Sequence, residues 1–374
     1  MIYLDYSATT PVNKEVLDSF CISNIEFLGN ANSLHKLGTK ANMLVDSATK
    51  QIANILGVKE TEIIYTSGST EANNLAIKGV CLQYQNRGKH IITTDFEHSS
   101  VIEPIHYLEK LGFTVSIVNT TKDGIIDINH LESLITDETI LVSINAVNSE
   151  VGLLQPVDEI GLMLKKYPRL FYHVDITQML GKVPVNLTNI DLASASSHKI
   201  YGLKGIGCLI KKEHVLLDVQ INGGKSTTEY RSGTPAHPLI ASFAKSIRLI
   251  TEQLDNNYEY VLKLNKYLIN KLNAIDKVHV NSNEYCIPYI VNISIKGIKS
   301  ETLMRALEEK DIYVSTKTAC SSNDDISEAI YALTKDKELA KSSIRISLSH
   351  LTTYEEIDTF IVELKTCLDK LFMN

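Results

Sequence analysis

Lys199 stands at the end of a polar run, Ser196-Ser197-His198-Lys199, directly after a short apolar segment at residues 192–195. Ligands of open α/β sheets bind beyond the carboxyl ends of the strands, so polar residues at such a place are candidates for a site. Lysine is the one side chain that forms a Schiff base with an aldehyde. The position of Lys199 therefore indicates covalent attachment of an aldehyde cofactor.

Polar residues at three other predicted strand ends are suited to the same kind of cofactor. The string Ser67-Gly68-Ser69-Thr70 opens a helix and offers backbone N–H groups and hydroxyls to an anion, although an ordinary helix cap has the same composition. His98 follows the next strand and can stack on a ring. Asp175, with Gln178 three residues on, can hold a heterocyclic nitrogen protonated, but an aspartate at a strand end is also a common cap. Because these positions occur together, we interpret them as one cofactor site.

Short β-branched segments alternate with longer amphipathic segments along the first part of the chain. This order predicts a mostly parallel sheet covered by helices. We predict strands at residues 62–66, 90–94, 114–118, 140–144, 171–175, 192–195 and 207–210. Helices are predicted at residues 37–56 and 99–111, where apolar residues recur with helical spacing.

The pattern changes after residue 240. One long helix is predicted over residues 240–273, a strand over 289–294, and helices over 301–309 and 354–371. This order is typical of a smaller α+β unit. The glycine-containing string at residues 202–207 precedes a strand and lacks the GxGxxG spacing, which excludes a dinucleotide-binding loop.

The composition excludes several classes of function. The net charge is -7 and the pI is near 5.9, so we expect no direct binding to nucleic acid, which relies on basic surfaces. No apolar run approaches the roughly 20 residues of a membrane span, and the first residues do not resemble a secretion signal, so we expect a cytoplasmic protein without a membrane segment. The six cysteines form no CxxC pair and no cluster with histidines, so we expect neither a metal site nor a disulfide framework.

Ordered strings along essentially the whole chain carry a resemblance to a known family. They are Tyr3-Leu4-Asp5-Tyr6-Ser7-Ala8-Thr9-Thr10-Pro11, Thr66-Ser67-Gly68-Ser69-Thr70-Glu71, Glu97-His98, Tyr172-His173-Val174-Asp175, Ser196-Ser197-His198-Lys199-Ile200-Tyr201-Gly202, Arg231-Ser232-Gly233-Thr234, Thr318-Ala319-Cys320-Ser321-Ser322 and Ser342-Ser343-Ile344-Arg345-Ile346-Ser347. On these strings the chain resembles the class V aminotransferase-type enzymes, and within them the cysteine desulfurases of the NifS/IscS type.

The resemblance implies the architecture of a pyridoxal-phosphate enzyme of fold type I. This is an α/β fold with a large cofactor-binding domain at residues 16–250, which contains a mostly parallel seven-stranded sheet. Residues 1–15 and 251–374 are expected to form a smaller α+β domain that carries the catalytic cysteine loop.

The resemblance also implies a role for each cofactor residue. Lys199 forms the Schiff base with pyridoxal 5'-phosphate, Asp175 pairs with its ring nitrogen and Gln178 contacts its phenolic oxygen. His98 stacks on the ring and serves in proton transfer. The residues that resemble phosphate ligands are Ser69, Thr70, Ser196 and His198. Thr234 resembles a residue that reaches the phosphate of a neighbouring subunit, which implies a homodimer.

The substrate implied by the resemblance is L-cysteine. Arg345 resembles the residue that holds its carboxylate, a task suited to the guanidinium fork, and Asn148 resembles a second substrate-binding residue. Cys320 resembles the nucleophile that takes the sulfur as a persulfide, and it is the one cysteine within a wholly polar stretch of small residues. Lys317 either lowers the pKa of this thiol or is a solvated loop charge, and the sequence leaves both open. The other five cysteines are expected to be packing residues.

Several positions depart from the family pattern. Ser149 replaces an asparagine that contacts the cofactor and the substrate carboxylate, and Ser349-His350 stand where Gly-Arg is usual. The sequence also departs at Ala31, at Ala146, at Leu203 and in the segment 315–320. None of these changes affects Lys199 or Cys320, so we expect the reaction class to hold.

Three alternatives for the function remain open. A selenocysteine lyase and another class V transaminase or lyase keep the cofactor and change the reaction, whereas a non-catalytic scaffold keeps only the fold. The acceptor of the sulfur also remains open. An iron-sulfur scaffold and a tRNA-thiolation enzyme are the expected kinds of partner protein, and a DNA-sulfur modification system and a cofactor pathway are further alternatives.

Overall fold

The computed structural model describes residues 1–316 and 326–373 of the chain. The strands in these residues are β1 Ile2–Tyr3, β2 Ile63–Thr66, β3 His90–Thr93, β4 Thr114–Ile117, β5 Thr139–Asn145, β6 Phe171–Asp175, β7 Leu192–Ser196, β8 Gly207–Lys211, β9 His279–Val280, β10 Ile290–Ser294, β11 Ile312–Tyr313 and β12 Ser343–Ser347. The α-helices are α1 Lys14–Glu26, α2 Lys36–Leu56, α3 Ser69–Tyr84, α4 Ser99–Glu109, α5 Ile128–Leu134, α6 Val157–Leu164, α7 His237–Glu252, α8 Leu254–Asn273, α9 Ser300–Glu308, α10 Glu328–Thr334, α11 Lys337–Lys341 and α12 Tyr354–Met373.

The main sheet has seven strands in the order β2-β8-β7-β6-β5-β3-β4. Only β8 runs antiparallel to its neighbours, so the predicted mostly parallel seven-stranded sheet is confirmed. Every residue of β5, β6 and β7 is buried, polar side chains included, as expected for central strands that are covered on both faces. The edge strand β4 is exposed or half-buried throughout.

Side chains from the two faces of the sheet belong to two different apolar clusters. Tyr172 and Val174 of β6 belong to a cluster that continues into the C-terminal part of the chain, whereas Phe171 belongs to the cluster beneath α3 and α4. This alternation follows from the opposite directions of successive side chains in a strand. The sheet is therefore held between two layers, and the carboxyl ends of its parallel strands meet at one edge.

The C-terminal part contains a second, antiparallel sheet in the order β12-β10-β9. The N-terminal strand β1 pairs in parallel with β11, which joins the first residues of the chain to this part. The predicted domain boundaries at residues 15 and 250 remain a prediction.

The prediction of a single helix over residues 240–273 is wrong. The backbone leaves the helical conformation at Gln253, and the segment forms α7 and α8. Neither Gly nor Pro marks this break in the sequence. Tertiary packing accounts for it, because α7 packs against α1 and α2, whereas α8 packs against β9 and α12.

No helix in residues 1–316 and 326–373 combines the length and the apolar character that crossing a membrane requires. The same residues bring together no group of histidine, cysteine, aspartate and glutamate side chains that could hold a metal ion.

Candidate active site

A cavity of about 310 Å³ opens where the carboxyl ends of the parallel strands meet the N-terminal segment and β12. Nine of the predicted site residues line it: Ser69, Thr70, His98, Ser149, Asp175, Gln178, His198, Lys199 and Arg345. Residues that the sequence analysis did not assign to the site also line it: Asp5, Ser7, Ala8, Asn145, Val147, Thr177 and Ser315. The volume lies at the lower end of the roughly 300–1,000 Å³ of small-molecule sites.

Lys199 lies on the short turn that follows β7. Its ammonium donates to the backbone carbonyls of Ser7, at 2.6 Å, and Ala8, at 2.8 Å. The turn is tightened at Tyr201, whose φ of 63° is unusual for a residue with a side chain. The Tyr201 N–H donates to the Thr10 hydroxyl at 2.7 Å. The N-terminal segment therefore fixes the lysine-bearing turn, a role that its sequence alone did not reveal.

Asp175 ends β6 with both carboxylate oxygens hydrogen-bonded. Oδ1 accepts from the Thr177 backbone N–H and Oδ2 accepts from Nδ2 of Asn73, each at 2.9 Å. Asn73 is fully buried in α3, and the same amide nitrogen also donates to the Ser100 hydroxyl at 2.9 Å. These two hydrogen bonds fix the orientation of the carboxylate. Asn73 was missed by the sequence analysis, although an asparagine on the buried face of a helix was the available signal.

His98 caps α4 and lies in the same network. Its Nδ1 accepts the Ser100 backbone N–H at 3.1 Å and lies 2.8 Å from the Ser100 hydroxyl. Burial lowers the pKa of His98 below its usual value, and the nearby Asp175 carboxylate opposes this shift. The imidazole is therefore neutral at neutral pH, and because Nδ1 accepts a hydrogen bond, we assign its proton to Nε2.

The first turn of α3 is open to an anion. Gly68 precedes it with a φ of 156° and provides no side-chain cap. A Cβ at Gly207 would lie 2.8 Å from the Gly68 Cα, so only glycine allows β8 to approach this turn so closely. The helix N-terminus thus presents backbone N–H groups beside the hydroxyls of Ser69 and Thr70.

His198 adds a neutral ring to this end of the cavity. Its Nδ1 lies 3.2 Å from the Thr9 hydroxyl. Burial, together with the positive charges of Lys199, Lys204 and Lys182, lowers the pKa of His198 to about 4. It can therefore act as a hydrogen-bond partner to an anion but contributes no charge at neutral pH.

Arg345 places a guanidinium in the wall of the cavity. Nη1 donates to the Ser149 carbonyl at 2.9 Å, and Nη2 donates to the Asp5 carboxylate at 2.7 Å. Its Nε is buried without a hydrogen-bond partner among the described residues. A buried donor of this kind favours binding of an acceptor such as a carboxylate. Asp5 was not assigned a role from the sequence.

Three predicted site residues do not line the cavity. The Asn148 amide shapes the adjacent turn, because its Nδ2 donates to the Phe96 carbonyl at 2.9 Å and its Oδ1 accepts from the N–H groups of residues 150 and 151. Ser196 is buried at the end of β7, and Thr234 is exposed.

The predicted nucleophile Cys320 and its neighbour Lys317 lie outside the described residues, and Ser315, which lines the cavity, is five positions before Cys320. Among the other cysteines, Cys81, Cys208 and Cys367 are buried as expected. Cys286 is half-buried. Cys21 is exposed on α1, so its expected packing role is wrong.

Comparison with known proteins identifies the family. The profile described as aminotransferase class-V matches residues 2–360. The chain belongs to the class-V aminotransferase family. A relative in this family, the cysteine desulfurase IscS of Proteus mirabilis strain HI4320, is 40% identical over 379 residues, with 99% of this chain and 93% of that protein covered.

Solved structures of similar proteins confirm the predicted fold type I. A NifS-like protein matches with a TM-score of 0.93 at 34% identity, with 98% of this chain and 99% of that chain covered. A structure described as SspA in complex with cysteine matches with a TM-score of 0.83 at 29% identity, with 94% of this chain and 100% of that chain covered.

Enzymes of the class-V aminotransferase family use pyridoxal phosphate, and the side chains around the cavity have the chemistry to hold this group. The donor set contains a primary amine at Lys199, an oriented carboxylate at Asp175 and an uncapped helix N-terminus at Ser69 and Thr70. These match an aldehyde, a ring nitrogen and a phosphate, respectively. The residues present therefore fit pyridoxal phosphate.

Proposed function

We propose that this protein is a cysteine desulfurase that converts L-cysteine to L-alanine and transfers the sulfur to Cys320. One observation carries the proposal. A single cavity brings a lysine amine, an oriented carboxylate, an uncapped helix N-terminus and a guanidinium together. The names and the coverage of the relatives support the same reaction.

The cofactor of the proposed reaction is pyridoxal 5'-phosphate. When bound, it supplies an electron sink that weakens the bonds at the substrate Cα. Lys199 would hold it covalently, Asp175 would keep its ring nitrogen protonated, and Gln178 would contact its phenolic oxygen. His98 would pack against the ring. The phosphate ligands would be Ser69, Thr70 and His198, with Ser149 as a further contact and Ser196 reached only from the end of β7.

The chain's own groups bind the substrate and move protons. Arg345 holds the L-cysteine carboxylate with the edge of the guanidinium that includes Nε. This Nε has no hydrogen-bond partner among the described residues. Asn148 holds the turn that presents the Ser149 carbonyl to Arg345. Lys199 and the neutral His98 are the groups that carry protons in the cavity.

Sulfur transfer completes the proposed reaction. The Cys320 thiolate attacks the sulfur of L-cysteine, a new S–S bond forms, and the substrate C–S bond breaks. The Cβ of the remaining three-carbon product takes up a proton, and the product leaves as alanine. Cysteine plus thiol therefore gives alanine plus persulfide, with no external oxidant or reductant. A sulfur-acceptor protein then receives the persulfide sulfur, and the cytoplasm remains the predicted location.

We also propose a homodimer in which Thr234 serves the cavity of the partner subunit. Thr234 is exposed and does not line the cavity of its own chain. The segment that carries it is anchored at Arg231, whose Nε donates to Glu71 in the first turn of α3 at 2.8 Å. This ion pair connects the segment to the proposed phosphate site.

Product analysis tests the proposed function. The wild-type protein, reconstituted with pyridoxal phosphate and given L-cysteine and a reductant, is expected to release alanine and sulfide in equal amounts. Cys320→Ser is expected to bind cofactor and substrate but to form no persulfide. Lys199→Ala is expected to retain no cofactor after borohydride treatment, whereas Lys204→Ala serves as the matched control and retains it. Turnover of selenocysteine but not of cysteine would overturn the proposal in favour of a selenocysteine lyase.

A further inference from the structure

Lys182 is a buried lysine whose charge no described residue balances. It follows β6, its side chain is only 7% exposed, and its ammonium donates to Oε1 of Gln178 at 2.9 Å. The charged groups that act on it are Lys199 and Arg345, which are both cations. Buried lysines are rare unless they are paired with an anion. Arg345 is itself paired with Asp5, and Lys182 lies behind Gln178 outside the wall of the cavity, so its charge acts on an occupant of the cavity through this amide.

A continuous chain of hydrogen bonds links Lys182 to the proposed cofactor lysine. Lys182 donates to Oε1 of Gln178, and Nε2 of Gln178 donates to the Ser7 carbonyl at 2.9 Å. Lys199 donates to the same carbonyl at 2.6 Å. The Ser7 carbonyl can only accept, so Nε2 of Gln178 faces this carbonyl and Oε1 faces the Lys182 side chain. Nε2 keeps a second hydrogen for the cavity that Gln178 lines.

We infer that Lys182 is a positioning residue for the cofactor, which fixes the Gln178 amide as a donor and stabilises negative charge on the oxygen that this amide contacts. The inference rests on the proposed function, because it presupposes pyridoxal phosphate in the cavity. Lys182 does not line the cavity and acts on the cofactor indirectly, through its hydrogen bond to Gln178. Without the lysine, the Gln178 amide is held only by its hydrogen bond to the Ser7 carbonyl. A rotated amide would present its oxygen to an anionic group, which reverses the interaction from attractive to repulsive.

The charge of Lys182 is expected to shift the pH midpoint of the cofactor's absorbance change in a defined direction. A nearby cation disfavours protonation of a bound group, so it lowers the pH at which the absorbance of the bound cofactor changes. Burial, Lys199 and Arg345 lower the pKa of Lys182 itself to about 7 in the empty cavity, and a bound anion opposes this shift because it favours the charged form. The other titratable or charged groups around Lys182 are Tyr6, His198, Lys199, Tyr201, Tyr289, Arg345 and His350. The pKa of His198 is about 4, so this ring stays neutral at higher pH. Burial raises the pKa of the three tyrosines and lowers that of His350, so these four groups do not change charge between about pH 7 and 9.

The chain offers a matched control for the loss of a buried lysine. Lys211 of β8 is 4% exposed, and its ammonium donates to the carbonyls of Val215 at 2.8 Å and Lys212 at 3.1 Å. Burial lowers its pKa as well. It does not line the cavity. Lys211→Met therefore reproduces the loss of a buried ammonium without changing Gln178.

The experiment compares the wild-type holoenzyme with Lys182→Met, Lys182→Gln and Lys211→Met. In both Lys182 variants, the midpoint of the cofactor's absorbance change is expected to rise by roughly one pH unit, as for removal of one nearby charge. The dissociation constant for pyridoxal phosphate is also expected to be at least tenfold higher for these variants than for wild type. Lys211→Met is expected to match wild type in both readouts. Lys182→Gln keeps a donor without the charge and provides a second variant in case Lys182→Met does not fold.

Two negative results are distinguishable. A folded Lys182 variant with the wild-type midpoint and the wild-type dissociation constant overturns the inference and leaves the proposed function intact. A wild-type protein that binds no pyridoxal phosphate at all overturns the proposed function itself.

Discussion

Individual residues in the cavity are fixed by contacts that their sequence motifs do not show. Asp175 owes its orientation to Asn73, and Lys199 owes its position to the carbonyls of Ser7 and Ala8. Arg345 is already paired with Asp5. Each of these partners lies far along the chain from the residue that it holds. The positions of the functional side chains in the cavity therefore depend on these contacts as well as on the motif residues.

At the residue scale, Ser149 is the departure from the family pattern with the clearest consequence. Its carbonyl accepts from Arg345 and its side chain lines the cavity. Ser149→Asn adds an amide that can reach the substrate carboxylate or the cofactor. A hydrogen bond to a charged group contributes roughly 1.5–3 kcal/mol, so kcat/KM for L-cysteine is expected to rise about ten- to a hundredfold.

Steady-state kinetics with L-cysteine measures this change. The cofactor spectrum and the oligomeric state of Ser149→Asn serve as controls and are expected to match wild type. A value of kcat/KM that stays the same or falls would show that this loop is adapted to another substrate or to activation by a partner.

At the scale of secondary-structure elements, a buried carboxyl group connects β3 to β5. Glu97 lies between β3 and α4, and its Oε1 accepts from the Thr94 hydroxyl at 2.7 Å and from the Asn145 backbone N–H at 2.9 Å. Its Oε2 is buried without a hydrogen-bond partner among the described residues. Burial raises the pKa of Glu97 to about 8, and the Asp175 charge acts in the same direction.

This pKa predicts a pH dependence of stability. The folded state keeps the Glu97 proton above the pKa of 4.5 at which the unfolded chain releases it. The contribution of Glu97 to stability is therefore fully present below about pH 4.5 and is lost as the pH rises towards 8. In Glu97→Gln, which does not titrate, the free energy of unfolding is expected to fall less between pH 5 and pH 8 than in wild type.

Urea unfolding of the cofactor-free proteins at several pH values measures the difference. Because His98 and other buried groups also titrate, the comparison uses the change between variant and wild type. Glu103→Gln, on the exposed surface of α4, provides the control for the loss of a carboxylate. Identical pH slopes for Glu97→Gln and wild type would contradict the predicted protonation of Glu97.

At the scale of the whole molecule, the surface formed by α1, the following loop and the start of α2 carries an unusual number of exposed apolar side chains. They are Ile22, Ile25, Leu28, Leu34, Leu37 and Met43. Lys40 ties these segments together, since its ammonium donates to the Glu26 carbonyl at 3.1 Å and lies over the Phe27 ring. Exposed apolar patches of this kind mark interfaces between proteins.

We expect this surface to be part of the proposed homodimer interface. The double variant Ile25→Glu/Leu28→Glu is expected to sediment as a monomer, because two charges would be buried in an apolar contact. It is also expected to lose most activity if Thr234 serves the partner's cavity. Leu162→Glu is the control, because Leu162 is 63% exposed on α6, in another part of the chain. A double variant that sediments as wild type would place the interface elsewhere.

The sequence by itself determined the family, the seven-stranded sheet and nine residues of the cavity. The family, the seven strands and residues such as Ser149 and Arg345 followed from the motif strings that resemble the family. Lys199 and Asp175 also followed from their places at strand ends, because the strand ends of a parallel sheet meet at one edge. Only the tertiary structure decided the break at Gln253, the pairing of Asp5 with Arg345, and the burial of Lys182 behind Gln178. These features depend on which segments pack together across long separations in sequence, and the energies of burial and pairing that decide them arise only after that packing.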